Sequence, residues 1–302
     1  MGSIFNLQQI INGIQIGSIY ALISIGYTLV YGIIQLINFA HGDFYMVGAY
    51  AAYFAVMFSA ARKEHPNVLI VLLISMTAGA IVAFLSNRIA YRPLRYKPRL
   101  SALITAIGVS MFLEYTSSAI PAIGPSYRAF PQSELIPEHT YRIGHAILSN
   151  YQIVNVVVAV VLMVVLTYIV QYTRIGMAMR ASAQDKDAAR LMGIDIEYII
   201  DFTFIIGGAL AGAAGLLTGI TYPRINPYMG IIPGLKAFIA AVLGGIGSVP
   251  GAMLGSYILG FSEVFGMAIN SILGEGIAYA ILILVLIFLP QGLLGKKTGE
   301  KV

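Results

Sequence analysis

Residues 67–99 read NVLIVLLISMTAGAIVAFLSNRIAYRPLRYKPR. The first part, 67–87, holds no charged side chain and is long enough to cross about 30 Å of hydrocarbon as a helix. The second part carries Arg88, Arg92, Arg95, Lys97 and Arg99 with no acid among them. Basic residues beside a span are retained on the cytoplasmic side, so this junction sets both the solvent and the direction: a transmembrane helix that ends inside the cell.

The same pattern recurs outward from it. No charged side chain occurs in residues 1–40, and the windows 202–223 and 237–262 are also charge-free. Apolar windows lie near 10–34, 44–60, 68–86, 100–120, 153–172, 199–220, 230–262 and 276–290. Across all 302 residues, 58% are hydrophobic and 10% charged, with a mean hydropathy of +0.83, which excludes a water-soluble protein of this size. The 32 glycines and 12 prolines follow no collagen period and sit in too much apolar mass for disorder; membrane helices use glycine for close packing and for breaks. The expected fold is an all-α polytopic membrane protein of about eight transmembrane blocks, one domain over residues 1–302, with one or more broken or re-entrant segments.

The scarce charges orient the rest. Residues 173–198 mix Arg174, Arg180, Lys186 and Arg190 with four acids, and the tail after Pro290 holds Lys296, Lys297 and Lys301 against Glu300; both read as cytoplasmic. Residues 121–152 contain Pro121, Pro125, Pro131 and Pro137 with only Arg128 and Arg142 as strong bases, and read as the large external loop. Counting back from the basic loop places the N-terminus outside. The first segment lacks the basic start of a cleavable signal and is expected to be retained. Between 173–198 and the tail the chain must cross an even number of times, yet three windows are visible. The window 230–262 is the expected split, because Gly244, Gly245, Gly247, Pro250 and Gly251 interrupt it near its middle. Such a break lies at membrane depth only where protein or a wet cavity satisfies the freed backbone groups.

A second discontinuity is suggested by Asn38-Phe39-Ala40-His41-Gly42-Asp43, which is very short for a loop. One reading is a broken helix of the kind transporters use; the other is a tight surface turn relaxed by Gly42 and capped by Asp43. His41 and Asp43 also invite a proton-relay reading, although neighbours in sequence need not face one another on a helix. Gly207, Ala211, Gly215 and Gly219 lie four apart on one helical face and Gly247, Gly251 and Gly255 on another, permitting close helix contact for packing or for a sliding interface. Glu114, Asp201, Lys236 and Glu263 fall in or at the edges of spans, where each needs a partner, water or an interface.

The stretch from Arg174 to Asp195 reads as a mixed-charge, alanine-rich cytoplasmic helix. Met177, Ala181, Ala188 and Leu191 form its expected apolar stripe, Arg180, Gln184 and Asp187 its polar face, Gly193 its stop, and Asp195 the cap of the next helix. A solvated loop and a docking element for a cytoplasmic protein both fit; the pairing of Arg180 and Asp187 would give direction to a docked contact. Zero cysteines exclude disulfides and thiol chemistry, and four scattered histidines form no ligand cluster. The net charge of +5 is spread over loops, leaving no basic face for nucleic acid. No nucleotide-binding motif occurs: Gly292 to Thr298 lacks the required glycine-to-lysine spacing, so any ATP is bound elsewhere.

Three segments together resemble a permease subunit of the bacterial branched-chain amino acid ABC transporters: Leu36–Tyr50, Arg180–Gly193, and Lys236–Gly255 with its Gly244-Gly245-Ile-Gly247-Ser248-Val-Pro250-Gly251 core. The resemblance covers nearly the whole chain and is nearer the first of the two homologous permeases than its longer companion. It implies a non-catalytic subunit of an inner-membrane importer of Leu, Ile and Val. The implied partners are the companion permease as heterodimer, two cytoplasmic ATPases that hold ATP and Mg²⁺, and a periplasmic amino-acid-binding protein; the chain itself binds no cofactor. It further implies that Arg180, Gln184, Asp187, Arg190 and Gly193 belong to a coupling helix seated in an ATPase groove. Asn38, His41, Gly42, Asp43, Gly244, Gly245, Gly247, Pro250 and Gly251 are then candidates for broken-helix or gating segments. The competing class is an ion-coupled secondary amino acid transporter using Glu114, Asp201, Lys236 or Glu263; a channel or scaffold is a third.

Overall fold

A computed structural model describes residues 6–95, 97–289 and 291–295. In chain order the elements are α1 (Leu7–Ile34), α2 (His41–Ala61), α3 (Val68–Ser86), α4 (Arg99–Ala119), β1 (Arg128–Ala129), α5 (Gln132–Leu135), β2 (Thr140–Ile143), β3 (Ala146–Ser149), α6 (Asn150–Tyr172), α7 (Arg174–Gln184), α8 (Lys186–Leu191), α9 (Ile196–Thr221), β4 (Arg224–Ile225), α10 (Ile231–Gly244), α11 (Val249–Ile269) and α12 (Ser271–Phe288). Among the described residues, seven helices are long and apolar enough to cross a membrane: α1, α2, α3, α4, α6, α9 and α11. The 14 residues of α10 rise only about 21 Å, short of a full bilayer core.

The 230–262 window does split, into α10 and α11, and this resolves the parity. Lys236 meets Glu263, Ala240 meets Gly255 and Gly244 meets Gly251, so α10 and α11 run antiparallel. With α12 turning back along α11 through Gly266 and Gly274, four segments follow the cytoplasmic stretch 173–198. The tail lysines Lys296, Lys297 and Lys301 lie outside the described residues.

Contacts across the molecule separate its two sides. On one, Gln8 near the start of α1 accepts from the Ile147 amide of the β2–β3 hairpin, placing the N-terminal end of α1 with residues 121–152. On the other, the bases after α3 meet the start of α9. Arg88 pairs with Asp201 at 2.5 Å, Arg92 with Glu197 at 2.9 Å, and Arg95 also with Glu197. Asn87 adds a 2.7 Å bond to Asp201. The basic loop is therefore partly neutralised and fastened to α9, which answers the need of Asp201 for a partner at the membrane edge.

The all-α expectation describes the membrane layer but not the external one. There β1 pairs with β4 and β2 with β3, both antiparallel. Water is available outside the hydrocarbon, so these short, proline-flanked stretches are not compelled to become helix.

The centre is built on α9, which packs against α1, α2, α3 and α6. Gly79 and Gly208 face each other across α3 and α9, and Gly48 of α2 lies against Gly212; a Cβ at any of these would strike neighbouring backbone. Ser75 Oγ lies 2.8 Å from the Gly48 carbonyl and 2.6 Å from that of Gly212, sharing its one proton between two helices. In lipid such contact gains from van der Waals fit rather than from expelled water. The face Gly207–Ala211–Gly215–Gly219 is used as well: Gly207 lies near Gly26 and His41, and Gly215 meets the Tyr45 carbonyl.

Candidate functional site

Two interruptions of regular helix determine the interior. After α1 the chain turns at Gln35, whose φ of 59° is left-handed, and α2 then begins at His41 beside Gly26, well back along α1. Asn38, His41 and Asp43 are all buried. Tyr91 donates to Asn38 Oδ1 at 2.7 Å, and the His41 ring lies 4.7 Å from that of Tyr27 and 5.7 Å from that of Phe44. The surface-turn reading is therefore corrected, because aromatic rings rather than water cover the segment. Asp43 does not cap α2 either: the cap position is Ala40, with no side-chain bond. The His41 ring faces Tyr27 and Phe44.

The second interruption, Gly245–Ser248, joins α10 to α11. Gly245 and Gly247 adopt φ of 102° and 95°, values open to glycine and strained for other residues. Ser248 caps α11 through the Gly251 amide, and Pro250 occupies the first turn, where no amide partner is lost. At the end of α10 the Leu243 and Gly244 carbonyls accept from the Leu293 and Leu294 amides, each at 2.9 Å. Protein thus satisfies these two carbonyls, and the break lies beside the last turn of α1, with Gly247 against Gly32. Lys236 and Glu263 are paired at 2.6 Å with almost no exposure, and Tyr20 donates to the other Glu263 oxygen at 2.8 Å.

The start of α10 meets the start of α2. Gly230 and Gly234 pack directly on Gly42, so closely that a side chain at Gly42 or Gly230 would collide with the other's carbonyl. Beside this junction lies a cavity of about 260 Å³ between α1, α2, α4 and α10. Its wall is mainly aromatic and aliphatic, with Tyr27, Phe39, Met111 and Phe238, and its polar corner holds Asp43, Ser110 and Glu114. Asp43 and Glu114 face one another beside the Ser110 hydroxyl. A second, wetter cavity of about 770 Å³ opens on the external side and is lined by Gln8, Asn12, Gln15 and Gln152, whose side-chain amides bond one another.

On the cytoplasmic side the expected single helix is two. Asp185 ends α7 and caps α8, its carboxylate accepting from the Asp187 and Ala188 amides at 3.0 Å each. An aspartate offered to free amides starts a new helix in preference to continuing the old one. Gly176, Met179, Ser182 and Ala189 are the buried anchors. The proposed apolar stripe is corrected accordingly: Met177 and Leu191 are 62% and 89% exposed, and Ala188 also faces out. Arg180, Gln184, Asp187, Arg190 and Gly193 are exposed on the same side of the molecule. The Arg180 guanidinium donates to the Val170 and Gln171 carbonyls at the end of α6, while Asp187 and Arg190 lie 4.0 Å apart. Gly193, with φ of 84°, stops α8, and Asp195 caps α9.

The family model described as "Branched-chain amino acid transport system / permease component" matches residues 9–286. The chain belongs to this family. It is 43% identical, over 98% of both chains, to the high-affinity branched-chain amino acid transport system permease protein BraD of Pseudomonas aeruginosa. Identity to the corresponding LivH protein of Escherichia coli is 42%, over 99% of this chain and 98% of that one. A probable LivH permease of Methanocaldococcus jannaschii is 29% identical over 92% of this chain. The permease is thus a non-catalytic, multi-pass transport protein of the inner membrane. Among the described residues no group of three or more His, Asp or Glu is placed to hold a metal.

Sequence reading did not foresee several residues of the permease's interior. Tyr27, Ser110 and Phe238 reach the cavity from three helices far apart in the chain and Phe39 from the segment before α2, and nothing local marks them. Gly230 and Gly234 did carry a signal, a small-residue pair four apart at the head of a short helix, as did Gly208 and Gly212 in the α9 seam.

Proposed function

We propose that this permease forms half of the translocation path of an ATP-driven importer of branched-chain amino acids, Leu, Ile and Val. Its companion is the homologous permease, its substrate arrives on a periplasmic binding protein, and two cytoplasmic ATPases bind ATP and Mg²⁺. The observation that carries the reading is the match over nearly the whole length, at 42–43% identity, to two permeases named for high-affinity branched-chain amino acid transport. The outward apolar and charged residues of α7 and α8 support ATPase docking there: Met177, Leu191 and Met192 project beside Asp187 and Arg190.

In this mechanism closure of the ATPases moves the docked α7–α8 pair. Arg180 holds that pair to the end of α6, and Ile196 starts α9 directly after it, so displacement is passed to two spans. The starts of α2 and α10 meet through glycine at Gly42 and Gly230, where a small shift changes access to the interior. The ion-coupled alternative draws less support. Asp201, Lys236 and Glu263 are each engaged in close ion pairs rather than in a continuous wet chain. The test is uptake by proteoliposomes holding this permease, its companion, the ATPases and the binding protein. Import of Leu, Ile and Val that requires the binding protein is expected; equal uptake without it would overturn the reading.

A further inference from the structure

The cavity beside the α2–α10 junction has a composition that the family assignment does not explain. A purely structural void in a membrane protein would be lined by apolar atoms, because a carboxylate there is expensive. Here two carboxylates share one corner. Asp43 is 2% exposed, Glu114 is 7% exposed, and Asp43 Oδ2 has no hydrogen-bond partner although it is buried. Among the described residues no arginine or lysine lines the cavity. The pair therefore presents acceptor oxygens to a space large enough for a small solute and below the roughly 300–1,000 Å³ of drug-sized pockets.

The other walls narrow the chemistry. Tyr27, Phe39 and Phe238 also line the cavity and favour an aliphatic body over a hydrated metal ion or a sugar. Gly230, Ile231 and Gly234 bring the start of α10 to the same cavity, and no side chain caps that helix or places an acid in its first turn. The amides there are already used, since Ile231 donates to the Tyr228 carbonyl and Gly234 to the Gly230 carbonyl, while Pro233 has none to offer, so recognition falls to the carboxylates and the apolar wall. A ligand that fits has a positive group with several N–H donors and an apolar side chain.

We propose that this cavity is a transit site for an aliphatic α-amino acid, with Asp43 and Glu114 receiving its ammonium and Tyr27, Phe39 and Phe238 its side chain. The proposal rests on the importer reading above and adds the place where the permease itself holds the substrate. Gly42 and Gly230, in contact beside the cavity, make its closure depend on the relative position of α2 and α10. Substrate bound there is therefore placed to be admitted or released when α10 moves.

The test uses the complete reconstituted complex, with ATP-driven uptake of leucine and alanine measured together with ATP hydrolysis stimulated by the loaded binding protein. Glu114→Gln and Asp43→Asn each remove an acceptor oxygen of the facing pair, and leucine uptake is expected to fall roughly ten- to hundredfold while stimulated hydrolysis persists. Uptake in both variants within about twofold of the wild type, well under the loss of one charged hydrogen bond, would overturn the proposal. If hydrolysis is lost as well, the decision passes to Phe238→Trp, which fills the apolar side without touching the carboxylates. The leucine-to-alanine uptake ratio should then fall by roughly tenfold, the size of a steric misfit of one or two methylenes, and an unchanged ratio would overturn the proposal. The binding protein's own selectivity is the same in every arm and cancels from this comparison. A wild-type complex that imports no amino acid in the presence of ATP would instead refute the importer reading on which the site depends.

Discussion

Removing either charge of the Lys236–Glu263 pair should destabilise the permease far more than removing both. The two groups are 2.6 Å apart with side chains 5% and 4% exposed, and Tyr20 donates to the second Glu263 oxygen. Lys236→Met leaves a buried carboxylate with one phenolic donor, and a stranded buried charge costs about 3–5 kcal/mol. Glu263→Leu strands the ammonium at the same cost and orphans the Tyr20 hydroxyl for about 1–3 kcal/mol more, so it should be the worse single variant. Replacing both restores an apolar junction between α10 and α11 and should recover most of the loss, giving a coupling energy of roughly 3 kcal/mol. Tyr20→Phe alone should cost only about 1 kcal/mol, since the ion pair remains. The assay is thermal unfolding of the purified permease followed by circular dichroism; at about 2–4 °C per kcal/mol the single variants should fall by roughly ten degrees. A double variant no more stable than the worse single variant would refute the argument that these charges are held in place by each other.

Three further outcomes follow from the packing and the topology. Gly212→Leu should destabilise by at least about 1–3 kcal/mol, because its Cβ would meet the Ser75 carbonyl, and the same unfolding measurement checks it. The chain contains no cysteine, so single-cysteine variants label cleanly: Tyr141→Cys should react with an impermeant thiol reagent from outside, and Pro93→Cys and Leu191→Cys only from inside. Asp187, with its side chain 93% exposed, should tolerate charge reversal within about 0.5 kcal/mol yet lose coupling of ATP hydrolysis to uptake, whereas Arg180→Glu should lose both coupling and stability. Normal coupling in both variants would remove α7 and α8 from the ATPase contact.

What the sequence made legible was set by its few charges. A charge-free run followed by five bases defines a span and its direction because hydrocarbon rejects charge and the cytoplasmic side retains Lys and Arg. The parity argument worked for the same reason, and the glycines and Pro250 then marked where one window becomes two helices. Asp185 was legible in principle as a cap, but the alanines on both sides favour a continuous helix, and only the observed bonds to the Asp187 and Ala188 amides show which preference wins. Partners were not legible. Lys236 reaches Glu263, Asp201 reaches Arg88, and Asp43 faces Glu114 from elements distant in sequence, so helix periodicity says that a partner is needed and not which one. The depth at which α2 begins was hidden for a related reason. Gly42 and Asp43 allow a surface turn as readily as a buried break, and only packing beside Gly26, Tyr27 and Tyr91 shows that the segment turns inward.

The most direct measurement of the central claim is the energy source of uptake in proteoliposomes containing the full complex. The account predicts leucine import that requires ATP hydrolysis and is unaffected when ionophores collapse the proton and sodium gradients. Uptake that persists without hydrolysis and disappears with the ion gradients would contradict it.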